Sequence, residues 1–269
     1  RGADIRNILE FERDFPGATI LRLEENYRST QSILDAASGL VSQNENRIGK
    51  TLKAMRSGGR RVESLVLRDE YEEARRVAAD IERRGEGLRI ACLYRMNAQS
   101  RVLEEAFAGA RIRYQVVGGV GFYARREVRD IVSYLRLILN PDDDSAFRRA
   151  VNVPPRGVGE RTRAAIGAAA ESRGVSLWQG LQDILASGSL PTKTGSSLAR
   201  FVSLITSLSA RIAASGPGEL VDAVIARVGY EELLEAEPSP IREDRLQNLS
   251  ELRLAATDFE EREGLGLRE

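Results

Sequence analysis

The sequence predicts two folds in series: a partial α/β domain built on a parallel sheet, then an all-helical domain. Three observations predict it. Short apolar runs alternate with helix-period segments as far as residue 117. The pair Gly118-Gly119 interrupts that rhythm. Beyond Val128 the apolar spacing is helical throughout, with Gly, Pro and Ser clusters between segments.

The elements follow in order. Ile5, Ile8, Leu9 and Phe11 recur at helical spacing over 5–14, and Phe15-Pro16-Gly17 stops them. Residues 19–23 alternate like a short strand. Ser29 or Thr30 can cap a helix carrying Ile33, Leu34, Ala37 and Leu40 on one face. Residues 49–59 are polar and read as a loop. Strands are expected at 62–67, 90–94 and 114–117, and helices at 71–81 and 98–108. Helices then fill 128–139, 146–151, 160–171, 176–185, 195–213, 217–228 and 241–262, with Pro154-Pro155 as a break.

Composition narrows the chemistry. Forty basic residues balance forty acidic ones, so any surface for a polyanion is a local patch. With no histidine, the commonest general base at neutral pH is missing. One cysteine, Cys92, excludes an internal disulfide and a Cys/His zinc site, and its apolar strand is expected to bury it. No run approaches about 18 apolar residues, so no membrane span is expected. Asp142-Asp143-Asp144 reads as a helix-capping cluster, because three adjacent carboxylates rarely converge on one ion; no metal site is expected. Trp178 sits among helical apolar positions and reads as core.

Four segments carry candidate chemistry. In Leu23-Glu24-Glu25-Asn26-Tyr27-Arg28-Ser29-Thr30 a strand gives way to a helix. Such a junction favours phosphate, a guanidinium there can fork onto it, and a tyrosine beside it can stack on a base. A surface Tyr and Arg near a cap is the plainer alternative. In Leu93-Tyr94-Arg95-Met96-Asn97-Ala98-Gln99-Ser100-Arg101, Arg95 can pair with a backbone phosphate, and Asn97 can bind phosphate or simply cap the next helix. The glycines of 116–130 read as hinge and turn positions, since this stretch lacks the Lys-Ser/Thr of a phosphate loop; Arg125, Arg126 and Arg129 can contact nucleic acid, an opposing domain or only solvent. The fourth is Asn152-Val153-Pro154-Pro155-Arg156-Gly157-Val158-Gly159-Glu160-Arg161-Thr162. A Gly-x-Gly turn between helices can offer successive N–H groups to a phosphate, or serve as a plain turn. Six arginines face two glutamates between 147 and 174, a basic patch inside a neutral chain.

The four together, in this order and spacing, resemble UvrD/PcrA/Rep-type superfamily 1A DNA helicases over essentially the whole chain, most closely at 1–50 and 89–165. The resemblance implies a RecA-like sheet for the first part. It implies a linker helix from the first motor domain at 1–18, a partial second motor domain at 19–122 and an incomplete helical accessory domain at 123–269. Arg1-Gly2-Ala3-Asp4 resembles the tail of the family's motif III. By the resemblance Tyr27 packs on the adenine of ATP and Arg28 is an arginine finger on the γ-phosphate. Arg95 and Asn97 lie under the single strand; Met96 stands where Thr or Ser is frequent. Arg156, Gly157, Val158, Gly159, Arg161 and Thr162 grip the duplex ahead of the fork. The whole machine implied is an ATP- and magnesium-dependent 3′–5′ helicase of DNA repair in the bacterial cytoplasm. Its Walker lysine, magnesium ligands and later motifs are expected outside this chain, which by itself is expected to hydrolyse no ATP. Two other readings stand beside it: a non-catalytic module that binds duplex DNA or a partner, and the helicase part of a recombination helicase–nuclease.

Overall fold

A computed structural model describes residues 10–19, 21–44, 49–85 and 87–263. Their contacts form two compact units, Arg1–Leu67 and Arg68–Glu269. Arg1–Asp4 and most of the helix expected over 5–14 lie outside the described residues; Phe11–Asp14 forms one helical turn.

The first unit holds a two-stranded parallel sheet, β1 (Glu25–Thr30) and β2 (Lys53–Arg56), joined through helix α1 (Gln31–Val41). Parallel neighbours need such a crossover, because a tight turn cannot reverse the chain twice. Thr30 occupies the N-cap position, although its side chain makes no capping bond. Leu34 is the buried anchor of α1. Several strand expectations are corrected. In the strand expected over 19–23 the described residues form no ladder, the strand starting at Glu25, and the segment read as a loop over 49–59 contains β2. Lys-Ala-Met-Arg has no apolar alternation to announce a strand; the backbone of β1 supplies the reason for it. The expected strand at 62–67 finds no partner among the described residues, and Val66 is 97% exposed.

The second unit is helical: α2 (Glu70–Arg84), α3 (Ser100–Gly109), α4 (Arg126–Leu139), α5 (Asp144–Ala150), α6 (Glu160–Arg173), α7 (Leu177–Ser187), α8 (Thr192–Ser209), α9 (Pro217–Val228), α10 (Tyr230–Glu235) and α11 (Ser239–Glu263). All these but the short α10 were legible in the sequence. The strands expected at 90–94 and 114–117 form no ladder among the described residues. Cys92 is correspondingly half-buried rather than buried, and that burial pushes its thiol pKa up. The fold class is thus a small parallel α/β part followed by helices, as the sequence implied.

Amphipathic periodicity builds the core. Val128, Ile131, Tyr134, Leu135 and Ile138 line one side of α4 and are buried. Around them pack Phe147, Leu181, Phe201, Ile205, Val221, Val224 and Leu249. Trp178 belongs to this core, as its spacing suggested. α6 and α7 approach closely at Gly180, where an added Cβ would lie 2.8 Å from the Ile166 carbonyl oxygen.

The acidic triplet works as caps and ties. Asp143 is the N-cap of α5 and accepts the Ala146 N–H at 3.0 Å. Asp144 accepts the Leu177 N–H at 2.9 Å, and Asp142 accepts from Ser176 and Gln179. The Ala146 amide, and then the Arg136 guanidinium, hold the Asp143 carboxyl below its usual range. A depressed folded-state pKa gives stability that is present above the unfolded-state value and lost as pH falls through the folded one. Asp143→Ala is therefore expected to cost about 1 kcal/mol at pH 7. In urea titrations from pH 7 to pH 3, that difference should shrink as the wild-type carboxylate protonates. A difference constant down to pH 3 would show that the carboxylate is not what stabilises the helix start.

Candidate functional site

The Tyr27–Arg28 segment is built by an irregular ladder. Asn26 pairs with Ala54 and Thr30 with Arg56, so Tyr27, Arg28 and Ser29 stand opposite Met55 alone. Extra residues in one strand bend it and re-aim side chains. Tyr27, 69% exposed, and Arg28 both reach solvent. The Asn26 Oδ1 accepts from the Arg28 N–H at 3.0 Å and the Ser29 N–H at 2.8 Å. The Arg28 carbonyl accepts from Arg56 Nη1 at 2.9 Å. The Tyr27 hydroxyl donates to Glu25, and this bond raises the phenol pKa. The Arg28 guanidinium itself has no protein partner among the described residues. An aromatic face and an uncommitted fork thus project from one bulge. Asn26 and Arg56 carry no weight in the sequence reading; an Asn ahead of a solvent-exposed pair is a turn-forming signal that could have found the first.

Within the second unit, Arg95 and Asn97 precede α3. Arg95 is exposed, with an uncommitted guanidinium among the described residues, while its amide donates to Gln99 Oε1 at 3.0 Å. Asn97 Nδ2 donates to both Asp244 oxygens, at 2.9 and 3.0 Å. Asp244 opens a polar stripe on α11. Gln247 donates to Met96 Sδ, Asn248 accepts from Arg125 Nη1 at 2.6 Å, Glu251 pairs with Arg101, and Asp258 accepts from Tyr71. Arg125 also donates to the Asn97 carbonyl at 2.7 Å and to Ser100 Oγ at 2.8 Å. Arg125 is therefore an internal brace, 8% exposed, which removes the solvated helix start from the meanings its sequence left open.

The 152–162 segment presents less backbone than its sequence suggests. Asn152 Oδ1 takes the Arg156 and Val158 amides, and the Gly159 amide donates to the Gly157 carbonyl. Gly157, at φ +75°, turns the chain where an L side chain would be strained. The Val158 side chain is a core plug, 2% exposed. Arg156 spans the loop: its guanidinium donates to the carbonyls of Ala150 and Val153, both at 3.0 Å, and to Tyr134 Oη at 2.7 Å, and lies 4.9 Å from the Phe201 ring centre. Burial pushes the Tyr134 phenol up to about 12, so it stays neutral beside that cation. Gly157, Gly159 and Arg161 are exposed and Thr162 half-buried at the start of α6, whose N-cap offers no side-chain acceptor.

One feature of this region escaped the sequence reading. A cleft of about 570 Å³ is lined by Tyr123, Arg129, Ser133, Arg136, Ser145, Arg148 and Arg149, with Val132. The spacings 129–136 and 145–149 place these groups on facing stripes of α4 and α5. Arg149 is neutralised by Asp130 at 2.7 Å and Arg136 by Asp143 at 2.7 Å, whereas Arg129 and Arg148 are exposed without an acidic partner among the described residues. Two surplus positive charges therefore face the cleft. Among the described residues no three His, Cys, Asp or Glu side chains converge to hold a metal ion, and no helix is long and apolar enough to cross a membrane.

Comparison with known proteins agrees with these features. Residues 21–208 match the UvrD-like helicase C-terminal domain. The chain is 43% identical over 267 residues to the ATP-dependent DNA helicase UvrD1 of Mycobacterium tuberculosis, covering 96% of this chain and 34% of that protein. It is 40% identical over 263 residues to DNA helicase II of Escherichia coli, covering 96% and 36% respectively. It is 40% identical over 267 residues to the ATP-dependent DNA helicase PcrA of Bacillus subtilis, covering 97% and 36%. The chain thus spans about a third of the length of these relatives. It belongs to the UvrD-like helicase family, in the region of that family's C-terminal domain.

Proposed function

We propose that this chain is the part of an ATP-dependent 3′–5′ DNA helicase that supplies the arginine finger, the adenine-stacking tyrosine, part of the single-strand track and a grip on the duplex. The observation that carries the reading is the bulge of β1, which projects an exposed Tyr27 and an uncommitted Arg28 from the strand–helix junction. Residues 1–18 are then the linker helix, 19–122 part of the second motor domain and 123–269 the accessory domain. The unpaired apolar segments near 65, 93 and 117 fit such a domain, whose remaining strands would come from elsewhere in a protein as long as the relatives. ATP and magnesium would be held mainly by those other segments. Arg28 and Tyr27 meet the nucleotide from this side. The setting is bacterial DNA repair in the cytoplasm.

On the DNA side, Arg95 and Asn97 serve the single strand, and residues 156–162 serve the duplex. In that loop Arg156 shapes the turn while Gly157, Gly159, Arg161 and Thr162 face the backbone phosphates. The cleft of α4 and α5 extends this surface, with Arg129 and Arg148 free to take phosphates. It also favours the second reading, in which the chain by itself binds duplex DNA without turnover.

One experiment addresses the DNA-binding part. Duplex affinity of the 269-residue chain is measured by fluorescence anisotropy between 50 and 200 mM salt, with Arg129→Glu/Arg148→Glu as the variant. The double variant is expected to bind at least tenfold more weakly and to lower the log–log salt slope by about 2, one per lost phosphate contact. Equal affinity and equal slope would remove the cleft from the DNA surface.

A further inference from the structure

We infer that Asn26 is a positioning residue for nucleotide chemistry, acting through the backbone of its two neighbours; the inference rests on the reading of Tyr27 and Arg28 given above. Three observations meet at this side chain. The β1–β2 ladder breaks immediately after the Asn26–Ala54 pair and resumes only at Thr30–Arg56. Inside the break neither Arg28 nor Ser29 is paired with a residue of β2, and their amides need an acceptor of their own. Both find it in the single atom Asn26 Oδ1, at 3.0 and 2.8 Å.

The chemistry requires an acceptor here and tolerates little else. One carbonyl-type oxygen with two lone pairs satisfies two N–H groups at once, and a short side chain is needed to reach the second and third residues onward. An alkyl side chain at 26 would leave two donors to water or would let the strand slip back into a regular ladder. In a regular ladder adjacent residues point to opposite faces, so Tyr27 and Arg28 could not serve one ligand together. Asn26 thus converts a sequence neighbourhood into a shared site. Arg56 assists from β2 through the Arg28 carbonyl at 2.9 Å, and Glu25 steadies the phenol of Tyr27.

The variants are Asn26→Ala, which removes the acceptor, and Asn26→Asp, which keeps an oxygen in its place. In the 269-residue chain, amide exchange followed by NMR should show Arg28 and Ser29 protected in the wild type and in Asn26→Asp. Both should be deprotected in Asn26→Ala, with helix amides unchanged. In a longer protein carrying the chain, DNA-stimulated ATP turnover should fall about tenfold to a hundredfold in Asn26→Ala, the scale of an ångström-level misplacement of a catalytic group. KM for ATP should rise as well, because Tyr27 moves with Arg28. Asn26→Asp should restore both to within about threefold of wild type, as expected when the acceptor oxygen rather than the amide group is what matters. A merely structural residue would lower the amount of active protein, and hence apparent kcat, without moving KM. Unchanged exchange at 28 and 29 in Asn26→Ala, or a KM equal to wild type, overturns the inference. If Arg28→Ala also leaves turnover intact, the reading of the pair itself fails; if Arg28→Ala abolishes turnover and Asn26→Ala does not, only the role of Asn26 fails.

Discussion

A longer protein carrying this chain, with Arg28 replaced by Ala, is expected to turn over ATP about 10³- to 10⁵-fold more slowly in the presence of DNA, the range an arginine finger contributes. The expectation rests on what the guanidinium is free to do. Arg28 is exposed, makes no ion pair among the described residues, and sits on a backbone fixed by Asn26 Oδ1 and Arg56. A fork that needs no release from a protein partner can stabilise charge that develops only in the transition state. The loss should therefore fall on kcat, with KM for ATP changed little, since ground-state binding lies with the Tyr27 ring and with other segments. Arg28→Lys keeps the charge and loses the planar pair of donors, so it should recover only part of the rate. Tyr27→Ala should show the opposite split, raising KM more than it lowers kcat. A loss of less than tenfold for Arg28→Ala would assign the exposed arginine to solvent and withdraw the motor reading of this pair.

The second large effect concerns stability. Phe201→Ala is expected to destabilise the helical unit by about 3–5 kcal/mol, the cost of removing a large buried ring from a packed core. Phe201 is 1% exposed, and the rings of Tyr134, Phe147 and Trp178 surround it with centroids 6.2 Å away. It also lies under the Arg156 guanidinium at 4.9 Å, so the cavity would open beneath the cation that ties the carbonyls of the 150–154 turn. Two readouts should therefore move together: the urea midpoint, and the near-ultraviolet signal of Trp178, the single tryptophan. Arg161→Ala, on the exposed start of α6, should leave both within experimental scatter. A Phe201→Ala loss below about 1 kcal/mol would mean that the site collapses without a cavity and that the aromatic cluster is not the centre of this core.

Helices were the legible part of this chain. A helix satisfies its backbone within its own segment, so periodicity, caps and proline breaks state most of what is needed. That is why α4 to α9 and α11 fall where their apolar spacing puts them, and why Asp143 caps α5. A strand is different, because its hydrogen bonds belong to a neighbour. The apolar runs at 62–67, 90–94 and 114–117 read as strands, yet Val66, Leu93 and Val117 are 97, 94 and 86% exposed and unpaired. Lys53–Arg56, with no apolar pattern, forms the ladder because β1 lies beside it.

The candidate site divides in the same way. The order and type of residues in the segments at 23–30, 93–101 and 152–162 were enough to place the chain in its family. Which side chains are free to meet a ligand was a matter for the tertiary structure alone. Arg125 and Arg156 look as available in the sequence as Arg28 and Arg129, but the fold engages the first two with backbone carbonyls, Asn248 and Tyr134, and leaves the others in solvent. The physical reason is that a guanidinium carries five donors and binds whatever acceptors surround it. Its sequence neighbours fix its chemistry, while only the elements that pack against it decide whether any of that chemistry remains for a phosphate.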